Sequence, residues 1–150
     1  MLNQTADPSD ASIEISVRLI TDTGGVRERN EDAGIFYTPS DSAVLEEKGT
    51  LVIIADGMGG HSGGEVASKL AVETIGRSYY EQENNPAEAL KVAFQEANRQ
   101  IYENSTSNED LNGMGTTCTA LAIYDGSAVV AHVGDSRLYL LRGSDMYLMT

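Results

Sequence analysis

Strand-like segments at both ends of the chain, two amphipathic helices between them, and no regular β-α-β alternation predict an α+β layered domain. Residues 1–11 are polar, include Asp7-Pro8-Ser9-Asp10, and are expected to form a flexible leader. The domain is placed at 12–150. Its first expected strand carries Ile13, Ile15, Val17 and Leu19 at alternate positions, and Asp22-Thr23-Gly24-Gly25 ends it. A second strand is expected over 33–37, before Pro39, and a polar loop over 40–49. The run Thr50-Leu51-Val52-Ile53-Ile54-Ala55 is apolar or β-branched without alternation, which predicts a strand covered on both faces.

The first helix is expected to start near Gly63-Gly64-Glu65, with Val66, Leu70, Ala71, Ile75 and Tyr79 on its apolar side. The second opens at Asn85-Pro86, a cap followed by the residue best suited to the first helical position. Leu90, Ala93, Phe94, Ala97 and Ile101 give its apolar face, and residues 105–112 read as a loop. Residues 116–124 and 128–133 then flank Asp125-Gly126 as a hairpin with a primed turn. Residues 137–141 and 146–149 repeat the device around Gly143-Ser144-Asp145.

At 150 residues the chain is one domain or part of one, and 41% hydrophobic residues exclude global disorder. A formal charge of −13, with no Lys/Arg run, opposes binding to nucleic acid phosphates. Cys118 is the single cysteine, so no intrachain disulfide forms; it lies in a strand-like run and reads as a small buried residue. There is no membrane span and no basic leader, so a cytoplasmic location is expected.

The chemistry-bearing positions are carboxylates at loop-like sites beside strands. Asp56 ends the apolar run and opens Asp56-Gly57-Met58-Gly59-Gly60-His61, where a carboxylate can hold a cation while glycines let the main chain approach it. A tight turn in which Asp56 bonds only its own backbone is the alternative. Glu31 and Asp32 follow Arg27-Glu28-Arg29-Asn30, and Asp135 lies in Val133-Gly134-Asp135-Ser136-Arg137. Oxygen ligands with no Cys/His cluster suit Mg²⁺ or Mn²⁺ rather than Zn²⁺. Arg27 offers a planar, bidentate phosphate donor; its alternative is an ordinary surface ion pair.

Taken together and in order, residues 27–32, the Asp56 loop with Gly64-Glu65-Val66-Ala67, Gly113-Met114-Gly115-Thr116-Thr117 and residues 133–137 resemble the motifs of bacterial PPM-type (type 2C) metal-dependent Ser/Thr protein phosphatases. The resemblance runs from about residue 16 to the end. It implies a four-layer α-β-β-α sandwich with two to three Mn²⁺ or Mg²⁺ ions at one end. It implies that Asp56 bridges two ions, that the Gly57 carbonyl is a further ligand, and that Glu31 and Asp32 support the centre. Asp135 would help bind a third ion, and Arg27 would grip the substrate phosphate. Water activated by the metals would attack phosphorus directly.

In eukaryotic members a His follows the Asp-Gly pair as proposed general acid, but Met58 stands there. His61 can contact substrate or protonate the leaving alkoxide, or be a plain loop residue. His132, inside a strand, reads as structural. Family domains are longer, and two more metal-binding aspartates should lie beyond residue 150. The chain is therefore expected to be the N-terminal portion of such a domain, with weak metal binding and little or no turnover alone, and self-association through exposed sheet edges. Implied partners are proteins phosphorylated on Ser or Thr and the kinase that modifies them. The alternatives are a non-catalytic phosphoprotein-binding module with the same fold and a hydrolase of small phosphate esters.

Overall fold

The computed structural model describes residues 14–59 and 62–150. The expected leader and Ile13 lie outside them. Strand β1 (Asp32–Tyr37) pairs antiparallel with β2 (Thr50–Met58), β2 pairs with β4 (Cys118–Tyr124), and β4 with β5 (Ser127–Val133). The short β3 (Gly115–Thr116) pairs with the end of β2 at Gly57 and Met58, completing a five-stranded sheet. Helices α2 (Gly63–Glu81) and α3 (Pro86–Ser107) lie on one face of it. Strands β6 (Tyr139–Arg142) and β7 (Asp145–Leu148) form a separate two-stranded sheet.

The core is the helix face of this sheet. Leu51, Ile53 and Ala55 of β2 and Cys118, Ala120 and Ala122 of β4 are buried against Ala71, Ile75 and Tyr79 of α2 and Leu90, Ala93 and Ala97 of α3. The buried positions of β4 and α3 are largely alanines, while most of the larger buried side chains come from β2 and α2. Burial also pushes the Cys118 thiol up to about 12, consistent with a packed residue and no nucleophile.

The expectation that β2 is covered on both faces is corrected. Its outward residues Val52 and Ile54 are only partly covered, Ile54 being 41% exposed. The cross-strand row Phe36–Val52–Leu121–Val130 is apolar on that outer face, and Phe36 is 50% exposed. Beside Ile54 a cavity is lined by the segments around Leu19 and Arg137.

Two local readings are also corrected. Residues 14–23 form no strand: Leu19 packs over Gly34, and alternation marks an apolar face without guaranteeing a ladder partner. The expected loop at 40–49 contains helix α1 (Ser42–Lys48). Asp41 caps it by accepting from the N–H groups of Ala43 and Val44, and Gly49 closes it at φ 71°. Lys48 is buried at the end of α1; its ammonium donates to the Asn84 carbonyl, and the Tyr79 hydroxyl donates to the Lys48 carbonyl at 2.6 Å. Helix α3 runs further than expected, to Ser107, and a 3₁₀ turn (Glu109–Leu111) follows.

The hairpin expectations hold. Asp125 and Gly126 have φ of 44° and 66°, the primed geometry that matches strand twist. The cap expectation holds too: Asn85 Oδ1 accepts from Ala87 N and Glu88 N, both at 3.1 Å, with Pro86 at the first helical position. Asn85→Ala is expected to cost about 1 kcal/mol, lowering Tm by roughly 2–4 °C in a thermal melt.

Candidate metal centre

The antiparallel register of β1 and β2 places Asp32 directly opposite Asp56, at the end of the sheet where β2 runs into the glycine loop. Residues directly opposite share a face, so both carboxylates project on the outer side. Partial burial, and then the neighbouring Asp56 carboxylate, hold the Asp32 carboxyl above its ordinary range. Two anions held side by side without a cation are unfavourable, and a hard divalent ion between them reverses that sign.

The main chain of Asp56 is fixed by Thr117. Asp56 N–H donates to Thr117 Oγ1 at 3.0 Å, and Thr117 N–H donates to the Asp56 carbonyl at 2.9 Å. Gly57 N–H donates to the Glu31 carbonyl at 3.1 Å. Gly57 is buried and touches the start of α2 so closely that a Cβ would lie 2.0 Å from the Gly64 carbonyl oxygen. The absence of a side chain at 57 is thus what lets strand end and helix start meet.

Glu31 is directed elsewhere. Its carboxylate takes Arg27 Nη1 at 2.6 Å and its other oxygen lies against Gly64, near the positive end of the α2 dipole. Arg27 remains 65% exposed on its side chain. With Arg29 and Ser62 it lines one side of a cavity of about 730 Å³, which Glu109 and Asp110 also line. A second cavity, about 370 Å³, holds Asp32 and Asp56 together with Ser136 and Arg137.

The structure therefore brings together Asp32 with Asp56, and Arg27 with Glu31. Asp135 is exposed in the turn after β5, and among the described residues no three His, Cys, Asp or Glu side chains gather into a metal-binding group. His61 lies outside the described residues. His132 is structural as expected, its Nδ1 2.9 Å from Thr119 Oγ1 and its Nε2 3.0 Å from the Gly134 carbonyl. Sequence reading passed over Thr117 as a separate functional position. Its signal was the second Thr of Gly115-Thr116-Thr117, at the point where β3 gives way to the buried β4.

The family model for protein phosphatase 2C matches residues 28–149, which include Asp32, Asp56, Thr117 and Asp135. The chain belongs to the protein phosphatase 2C family. Among the relatives of this phosphatase 2C chain is the serine/threonine phosphatase stp of Listeria welshimeri. It is 38% identical over 135 residues, which are 87% of this chain and 51% of the relative. Among solved structures, the Mycobacterium tuberculosis serine/threonine phosphatase PstP/Ppp matches with TM-score 0.71 and 34% identity, over 86% of this chain and 51% of the other. A structure of the PstP catalytic domain in complex with two manganese ions matches with TM-score 0.70 and 35% identity, over 86% and 52%. The mixed α/β fold is thus that of phosphatase 2C structures, and the chain spans about half the length of the relatives it matches.

Proposed function

We propose that this chain is the N-terminal portion of a metal-dependent protein phosphatase domain, and that the whole protein removes phosphate from phosphoserine and phosphothreonine in proteins. The observation that carries this reading is the Asp32–Asp56 pair at the end of the sheet, within electrostatic reach of Arg27. The paired carboxylates of Asp56 and Asp32 suit Mn²⁺ or Mg²⁺, with Asp56 as the central ligand and the Gly57 carbonyl beside it, while Glu31 and Asp135 would join only by turning from their present positions. The two manganese ions of the PstP complex support that choice of metal. When bound, such ions neutralise phosphate charge and lower the pKa of the attacking water.

The chain's own contribution is orientation. Arg27 presents its exposed guanidinium to the substrate phosphate, while its bond to Glu31 fixes where that guanidinium points. An open cavity lies beside Arg27. His61, next along the Asp56 loop, is proposed to meet the substrate or its leaving oxygen. The expected partners are Ser/Thr-phosphorylated proteins and their kinase, in the cytoplasm. Among the described residues no helix is long and apolar enough to cross a membrane. The half-covered outer face, with Phe36 and Ile54, supports association between copies of this chain. That no three acids gather among the described residues favours, as a second reading, a phosphoprotein-binding module without turnover.

Phosphate release from a phosphothreonine peptide by the whole protein, with and without Mn²⁺, tests the proposal. Mn²⁺-dependent release is expected. Arg27→Ala should raise KM about tenfold or more through lost charge-assisted bonds. Its Tm should move by less than about 2 °C, because exposed ion pairs contribute little to stability. No Mn²⁺-dependent release from the whole protein contradicts the enzyme reading.

A further inference from the structure

Asp56 and Asp135 sit on different segments, and one side chain bonds to both of those segments. The Thr117 hydroxyl accepts from Asp56 N–H at 3.0 Å and lies 2.8 Å from Ser136 Oγ. With the Asp56 N–H occupying one lone pair, its own hydrogen is available to Ser136. Thr117 is only 6% exposed, so water does not readily replace either bond. The turn rests on the same side chain: a Cβ on Gly134, at φ 105°, would come within 2.7 Å of Thr117 Cβ and Cγ2.

The rest of the turn is pinned from two other directions. The Gly134 carbonyl can only accept, so His132 Nε2 carries a hydrogen and donates to it at 3.0 Å. Thr150 Oγ1 donates to the Ser136 carbonyl at 3.3 Å. These contacts hold the turn as a body, while Thr117 sets where that body stands relative to the end of β2.

We propose that Thr117 is a positioning residue for the metal centre: its hydroxyl fixes the separation between the Asp56 strand end and the Asp135 turn, and Mn²⁺ affinity depends on that hydroxyl. The inference rests on the metal-centre reading given above. It differs from a packing role, because valine keeps the bulk of threonine and loses the bond, whereas serine keeps the bond and loses a methyl group.

The test is a Mn²⁺ titration of the whole protein, followed by the electron paramagnetic resonance signal of free Mn²⁺, with a thermal melt of each variant. Thr117→Val is expected to weaken Mn²⁺ binding about tenfold, as loss of a group that orients a ligand does, and Thr117→Ser to stay within about twofold of wild type. Ser136→Ala, which cuts only the turn side of the link, should weaken binding in the same direction as valine. Wild-type affinity in Thr117→Val overturns the proposal, and so does equal weakening in the valine and serine variants. Should Thr117→Val fail to fold, wild-type affinity in Ser136→Ala overturns it. Absence of saturable Mn²⁺ binding by the wild-type whole protein instead sinks the metal-centre reading, and the proposal with it.

Discussion

Asp56→Asn is expected to raise the Tm of the metal-free chain by about 1–3 °C and to abolish its stabilisation by Mn²⁺. The two effects have opposite sign because they come from one charge. Without a cation, Asp56 faces Asp32 across the β1–β2 ladder, and like charges directly opposite on a sheet cost about 0.2–1 kcal/mol. Partial burial, and after it that repulsion, raise the Asp32 carboxyl. A carboxyl raised in the folded state favours folding below its unfolded value, and that contribution disappears as pH rises through the folded value. Above that folded value the metal-free protein carries the repulsion, and the asparagine relieves it. With Mn²⁺ at about one hundred times its Kd, binding should stabilise the wild type by about 2.7 kcal/mol, and the variant lacks this. Turnover by the whole protein should fall by at least ~100-fold, since even groups that only orient ligands cost 10–100-fold. Thermal melts with and without Mn²⁺ read the first two effects, and phosphate release reads the third. A variant stabilised by Mn²⁺ as the wild type is would show that Asp56 holds no metal.

Gly57→Ala should cost about 3 kcal/mol or more, a fall in Tm of roughly 6–12 °C. The new Cβ would lie 2.0 Å from the Gly64 carbonyl oxygen and 2.6 Å from the Glu31 carbonyl oxygen. Both obstacles are backbone, so no side-chain rotation relieves them. Relief requires the start of α2 to move off the end of β2, breaking the bond from Gly57 N–H to Glu31 and disturbing the carbonyl proposed as a ligand. Gly25→Ala is the matched control: nothing lies within 4 Å of its Cβ, and a change of less than about 0.5 kcal/mol is expected. Urea unfolding of the two variants separates the cases. Equal midpoints would contradict the close approach.

The legible parts of the fold were those written by local chemistry. The Asn85-Pro86 cap, the Asp125-Gly126 turn and the apolar spacing of α2 and α3 each carry their own signal, and each stands where expected. Helix α1 carried a signal as well, Asp41 before it and Gly49 after it, but its apolar residues are only the adjacent Ala43, Val44 and Leu45, too short a run to show a helical period. The segment at 14–23 failed for the reverse reason: its alternation is real, but pairing depends on a neighbour that sequence spacing does not supply.

The same division runs through the site. That Asp56 ends a strand was legible from the apolar run and the glycines after it. That Asp32 lies opposite it follows from strand register, which no local pattern states. The packing of Glu31 against Gly64, and the reach of Thr117 to Ser136 nineteen residues on, are tertiary facts of the same kind.

The central claim is that the end of β2 is a metal centre with Asp56 as its main ligand. Crystals grown with Mn²⁺ and measured at the manganese absorption edge test it most directly. The account predicts an anomalous peak about 2.0–2.6 Å from an Asp56 carboxylate oxygen, on the side of the sheet that Asp32 shares. Manganese ordered only elsewhere, with Asp56 turned to solvent, would contradict it.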